Sequence, residues 1–299
     1  MPKTTATRCQ RAIALPFIAV ALLHCHCLIP PGADYTDGTL DTAPPIDWAA
    51  MDTLVTMAFD VTDKNTTDEQ LRAKYTTGTL TPTVRRLEIT GDRYLLLIDA
   101  NDQRQTIILA GTNLDDNADV SADEDVNLVT DQTLNQQFDE GFLDDAHDVH
   151  DDVLPLLVPN YATQVVGYSL GGAVAAILTA YLHLDGFTLE TTVTFGQPRV
   201  TDEAGASVLA GLDILRFRAH GGLVPELPPS PYRHFGDEVI LLEGTEFVYL
   251  TPTDANYDAS PVDLQSKLDD ALGLAVHGSY PERIKSKLNG AAQVPYPSN

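Results

Sequence analysis

A chain of 299 residues with 43% apolar content is long enough to bury a real core, and its totals give no sign of disorder. Its charge is lopsided: Asp and Glu number 43 against 18 Lys and Arg, a formal net charge of -25. A surface this acidic repels phosphate backbones and anionic membranes, which argues against nucleic acid as a partner, and it fits a protein kept soluble in high salt, where screening removes self-repulsion.

Cys9, Cys25 and Cys27 all fall within the first 27 residues. The same stretch sets Lys3, Arg8 and Arg11 ahead of the apolar run Ala12 to Leu23 and holds no acid. Residues 1–27 therefore read as an export signal, and the protein as secreted or periplasmic. Its removal leaves a chain without cysteine. Residues 28–45, with Pro30-Pro31-Gly32 and Pro44-Pro45, read as a linker or N-terminal arm, and residues 46–299 as a single domain.

In that domain Trp48, Met51, Leu54, Val55 and Ala58 recur at helical spacing, and a second helix is expected over 64–75, capped near Thr66 or Thr67. Three strands follow, over 84–89, 94–98 and 105–110, parted by Gly91-Asp92 and Asn101-Asp102, as in successive hairpins. Residues 113–133 carry seven acids and few apolar groups, which predicts a mobile, lid-like segment and not a core element. Asp123 and Asp125 lack the glycine and terminal glutamate of a calcium loop. A helix over 141–157 then leads into the apolar run that ends at Tyr168. Beyond it the pattern predicts a helix to about Leu184, a strand over 192–195, a short helix capped by Asp202, a strand over 214–219, a hairpin over 239–250, and helices over 262–272 and 281–288. Helices alternating with strands indicate an α/β fold with a mixed sheet and a site at the carboxyl ends of its strands.

The most informative stretch is Val165-Val166-Gly167-Tyr168-Ser169-Leu170-Gly171-Gly172, where an apolar strand meets a glycine-flanked serine and turns straight into a helix pattern. That is the context a G-x-S-x-G motif needs to be a nucleophile elbow: the turn is sharp and strained, and side chains at Gly167 and Gly171 would press on neighbouring backbone. Ser169 is the expected nucleophile. Its oxyanion would be met by the Leu170 backbone N–H and, from the loop after an earlier strand, by Thr112, which Gly111 allows to come close. Serine also needs a base. His277 suits best, because nucleophile, acid, histidine is the chain order of α/β-hydrolases and His277 lies just before the last helix; His220 ranks next. Acyl transfer by such a set requires no metal or organic cofactor.

These residues resemble the fungal-type class 3 lipases. The likeness rests on Leu109-Ala110-Gly111-Thr112, Phe138-Asp139-Glu140-Gly141-Phe142-Leu143, the elbow, Thr194-Phe195-Gly196-Gln197-Pro198-Arg199-Val200, Val224-Pro225-Glu226-Leu227-Pro228-Pro229 and His277-Gly278-Ser279-Tyr280, and covers roughly residues 45–290. It implies an α/β-hydrolase fold, a mostly parallel mixed sheet flanked by helices. The implied protein is a secreted triacylglycerol lipase or carboxylesterase, acting on lipid or small esters and touching a lipid–water interface transiently. Three positions depart from the family pattern. Gly222 stands where the triad aspartate is found, Ala110 replaces an arginine, and Tyr168 replaces a histidine. Either another carboxylate, Asp202 or Glu226, serves as the acid, or the acid is gone. If it is gone, the chain is a weak hydrolase or a lipid-binding relative.

Overall fold

The central strands, such as TVTF at 192–195 and ILRFRA at 214–219, are buried along almost their whole length, as strands covered on both faces are. In the computed structural model, which describes residues 42–87, 93–111, 127–254, 257 and 276–296, they build a nine-stranded mixed sheet. The stretch read as an export signal, most of the expected arm, Thr112 and the helix expected over 262–272 lie outside the described residues.

The strands are β1 (Leu80–Arg86), β2 (Arg93–Asp99), β3 (Arg104–Leu109), β4 (Leu128–Asp131), β5 (Gln136–Asp139), β6 (Ala162–Tyr168), β7 (Thr192–Phe195), β8 (Ile214–Ala219), β9 (Asp237–Leu241), β10 (Glu246–Leu250) and β11 (Ala292–Gln293). The sheet runs β1-β2-β3-β6-β7-β8-β9-β10-β11, with β4 and β5 paired separately. The first three strands are antiparallel, as the turn residues between them predicted. From β3 through β9 every pairing is parallel, and β9–β10 is the expected hairpin.

Among the described residues six helices accompany them: α1 (Trp48–Thr62), α2 (Asp68–Tyr75), α3 (Glu140–Val153), α4 (Leu170–Leu184), α5 (Glu203–Leu209) and α6 (Tyr280–Lys287). Period-two alternation divides the sheet between two cores. Tyr94, Leu96, Ile107, Leu109 and Val165 join α3 and α4 on one face. Leu95, Leu97, Ile108 and Val166 join α1 and α6 on the other. Local chemistry sets the helix starts: Asp47 caps α1, a reciprocal Thr67–Gln70 capping box opens α2, and Asp139 and Asp202 cap α3 and α5.

The acidic segment departs from expectation at its carboxyl end. Residues 112–126 are outside the described residues, but Leu128–Asp131 is a strand whose Asp131 is buried and bonded to Leu134 N–H and His147 Nε2. The buried carboxylate anchors this hairpin to α3, and composition alone had hidden the pairing. Among the described residues no helix is long and apolar enough to cross a membrane.

Candidate active site

The elbow forms where β6 runs into α4. Ser169 has φ 55° and ψ -125°, a strained backbone for any residue with a side chain, and it sits at the junction with only 4% of its surface exposed. Its flanking glycines are sterically required. A Cβ on Gly167 would lie 2.0 Å from Gly171 O, and one on Gly171 would lie 2.3 Å from Ala110 O. Ser169 N–H donates to Phe195 O at 2.8 Å, which ties the turn to the end of β7.

The end of β3 packs against the serine at Gly111. A Cβ there would fall 2.7 Å from Tyr168 O and 2.9 Å from Ser169 Cβ, so only glycine brings the end of β3 against the serine. Gly111 N–H is held by Thr62 Oγ1 at 2.9 Å, and Ala110 N–H by Arg93 O at 3.0 Å. Leu170 is the first residue of α4, where helix N–H groups have no partner within the helix. Thr112 itself lies outside the described residues.

His277 shares this corner. A Cβ on Gly196, the residue after Phe195, would be 2.4 Å from His277 Cε1 and 2.8 Å from Nδ1, so the ring is seated on that glycine. Gly196, at φ 67°, was singled out in the sequence only as part of a family motif; its role as the floor under the imidazole shows only in three dimensions. The ring is wholly buried, and burial pushes its pKa down to about 3. Neither ring nitrogen has a hydrogen-bond partner among the described residues. Ser169 and the His277 ring thus both lie at the end of β7, and among the described residues no carboxylate bonds the ring.

Each carboxylate considered for the missing acid is engaged elsewhere. Glu226 is buried and accepts from Arg218 Nη2 at 2.9 Å, within a 3-10 turn at 224–226. Asp202 accepts from Gly205 N–H at 2.8 Å as the cap of α5. Position 222 faces the segment that carries the histidine: a Cβ there would meet Val276 Cγ1 at 3.7 Å and Ala219 O at 3.0 Å. His220, the second-ranked base, is exposed just past β8. His147 and His150 serve as scaffold, bonded to Asp131 and Tyr181 and to Asp185 respectively.

Comparison with known proteins follows the same residues. The family described as Lipase (class 3) matches over residues 106–232, from β3 through the elbow and beyond position 222. This stretch is similar to the class 3 lipases. The chain is 37% identical over 108 residues to secreted mono- and diacylglycerol lipase 1 of Fusarium solani, covering 35% of this chain and 30% of that protein. It is 33% identical over 113 residues to a lipase of Rhizomucor miehei, covering 33% of this chain and 31% of that protein. These alignments span about a third of each relative's length. The likeness of fold reaches further: Rhizomucor miehei triacylglyceride lipase superposes with a TM-score of 0.64 at 21% identity over 83% of this chain and 98% of that one. The fold is the α/β-hydrolase fold that the class 3 lipase resemblance implied.

Proposed function

We propose that this protein hydrolyses carboxylic esters, as a triacylglycerol lipase or carboxylesterase, through an acyl-enzyme on Ser169. The observation that carries the reading is the strained serine at the β6–α4 junction, with the Gly111 backbone packed on one side and the His277 ring seated on Gly196 on the other. Ser169 Oγ attacks the ester carbonyl carbon as His277 takes its proton. The N–H of Leu170 and the group at Thr112 meet the oxyanion, and His277 returns the proton to the departing alcohol. Water then repeats the sequence on the acyl-enzyme and frees the acid. At neutral pH the imidazole is in the neutral form that can accept this proton, yet burial makes it a weak base.

Residues 113–131 supply a thin set of apolar groups, Leu114, Val120, Val126, Leu128 and Val129, among many acids. That composition favours short or medium acyl chains over long-chain lipid at an interface. Secretion is supported by the basic and then apolar character of residues 1–27 and by the name of the Fusarium relative.

A second reading, a lipid-like ester binder with little turnover, draws on the glycine at 222 and on an imidazole without a hydrogen-bond partner among the described residues. A fluorophosphonate probe separates the two. The hydrolase is expected to label stoichiometrically and to lose labelling in Ser169→Ala; no labelling of the wild type selects the binder. On p-nitrophenyl butyrate, Gly222→Asp is expected to raise kcat by at least about 10-fold, within the roughly 10⁴-fold that a triad acid contributes in serine proteases.

A further inference from the structure

One residue in the elbow holds the histidine directly. Tyr168, the residue before Ser169, stacks on the His277 ring with centroids 5.0 Å apart and planes at 23°. Its hydroxyl donates to His277 O at 3.1 Å, so the same side chain grips both ring and backbone. Tyr168 is itself held from behind by Phe59, at 4.3 Å between centroids, while Tyr280 meets the imidazole edge-on at 5.8 Å and 89°. The Tyr168 phenol is buried, and desolvation pushes its pKa up, so it remains a neutral donor across the working range.

A triad carboxylate performs two tasks: it fixes the orientation of the imidazole and stabilises the imidazolium formed in the transition state. Position 222 offers neither, and Glu226 and Asp202 are taken up by Arg218 and Gly205. An aromatic face can supply a weaker form of both, because a stacked ring restricts imidazole rotation and its quadrupole attracts a developing cation. We propose that Tyr168 is the positioning residue for His277, carrying through its ring and hydroxyl part of the work that an acid at position 222 would do. This rests on Ser169 and His277 acting as nucleophile and base. The link between nucleophile and base is then short: Tyr168 is covalently next to the serine and touches the histidine 109 residues away.

The test is a double-mutant cycle on the full chain, with p-nitrophenyl butyrate as substrate and fluorophosphonate labelling as the control. Tyr168→Leu is expected to lower kcat by about 30-fold with KM within about two-fold, and Tyr168→Phe, which keeps the ring, by about three-fold. The acidic limb of the kcat/KM profile should move to lower pH in Tyr168→Leu, because the imidazolium loses its aromatic face. In a Gly222→Asp background the Tyr168→Leu loss should shrink to less than about five-fold, since a carboxylate would then hold the ring. If Tyr168→Leu does not fold, Tyr168→Phe in the two backgrounds carries the same comparison. Equal losses in both backgrounds, a loss in KM alone, or no loss would overturn the positioning role while leaving the hydrolase in place. A wild type that the probe does not label removes both.

Discussion

The glycine at 222 leaves His277 in an unusual electrostatic position. The imidazole is buried, without a hydrogen-bond partner among the described residues, and depressed to about 3, so the folded state holds it neutral while the unfolded chain protonates it near 6.5. A group whose folded pKa is lowered contributes stability that is full above the unfolded pKa and is lost as pH falls toward the folded one. Stability is therefore expected to fall between pH 6.5 and about 3 on account of His277, above the range where the paired acids Asp68, Asp131 and Asp152, whose pKa values are lowered, begin to protonate. Thermal melts should show a Tm falling from pH 6.5 to 4.5 in the wild type and a flatter profile in His277→Leu. Equal slopes in the two proteins would refute a buried neutral imidazole. The sequence pointed to Ser169 and His277 by motif and chain order. It could not say that Glu226 and Asp202 would be engaged away from the ring, because their other duties become visible only once Arg218 and the start of α5 are placed beside them.

The glycines of the elbow and the end of β3 form one mechanical unit with α1. Arg93, at the start of β2, is buried and donates to the carbonyls of Val61 at 2.5 Å, Thr66 at 2.6 Å and Asp63 at 2.7 Å, with Asp60 at 3.3 Å. Val61 and Asp60 lie in the last turn of α1, where carbonyls have no partner within the helix and a cation is favoured. The same residue's carbonyl accepts from Ala110 N–H, and Thr62, the last residue of α1, holds Gly111 N–H while donating to Ala58 O at 2.8 Å. Arg93→Met strips these carbonyls of their donor, and a loss of about 3 kcal/mol is expected, because buried acceptors left unmade cost about 1–3 kcal/mol each when they cannot reach water. Urea unfolding measures it as a lower midpoint at unchanged slope. A midpoint within error of the wild type would show that water replaces the guanidinium. Periodicity and turn residues foretold α1, β2 and β3 individually. They were silent on Arg93, since a lone arginine at a strand start ordinarily marks a solvated edge, and its burial follows from where the end of α1 docks.

For the molecule as a whole, net charge understates the acidity of the surface. Arg93, Arg199, Arg216, Arg218 and Lys287 are buried, Arg216 and Arg218 in ion pairs with Glu238 and Glu226, whereas of the 43 acids only Asp131, Asp139, Glu226 and Glu238 are buried among the described residues. The outer surface therefore carries most of the acids with a depleted set of bases, and its self-repulsion opposes compaction until salt screens it. Raising NaCl from about 0.05 M to about 1 M, where the Debye length shrinks to about 3 Å, should raise Tm by several degrees. A fall in Tm over that range would count against a saline working environment.

Runs of apolar residues, caps and glycines act within a turn or a strand pair, so the alternating order of helices and strands, both hairpin regions and the strained serine were legible from neighbouring residues alone. Contacts that link distant positions were not: the seat of His277 on Gly196, the stack of Tyr168 on His277, and the engagement of Glu226 with Arg218. Backbone sterics and hydrophobic periodicity are local, whereas the partner of a buried polar or aromatic group depends on how whole elements pack, and that becomes definite only when the sheet and its two helical layers close around the site.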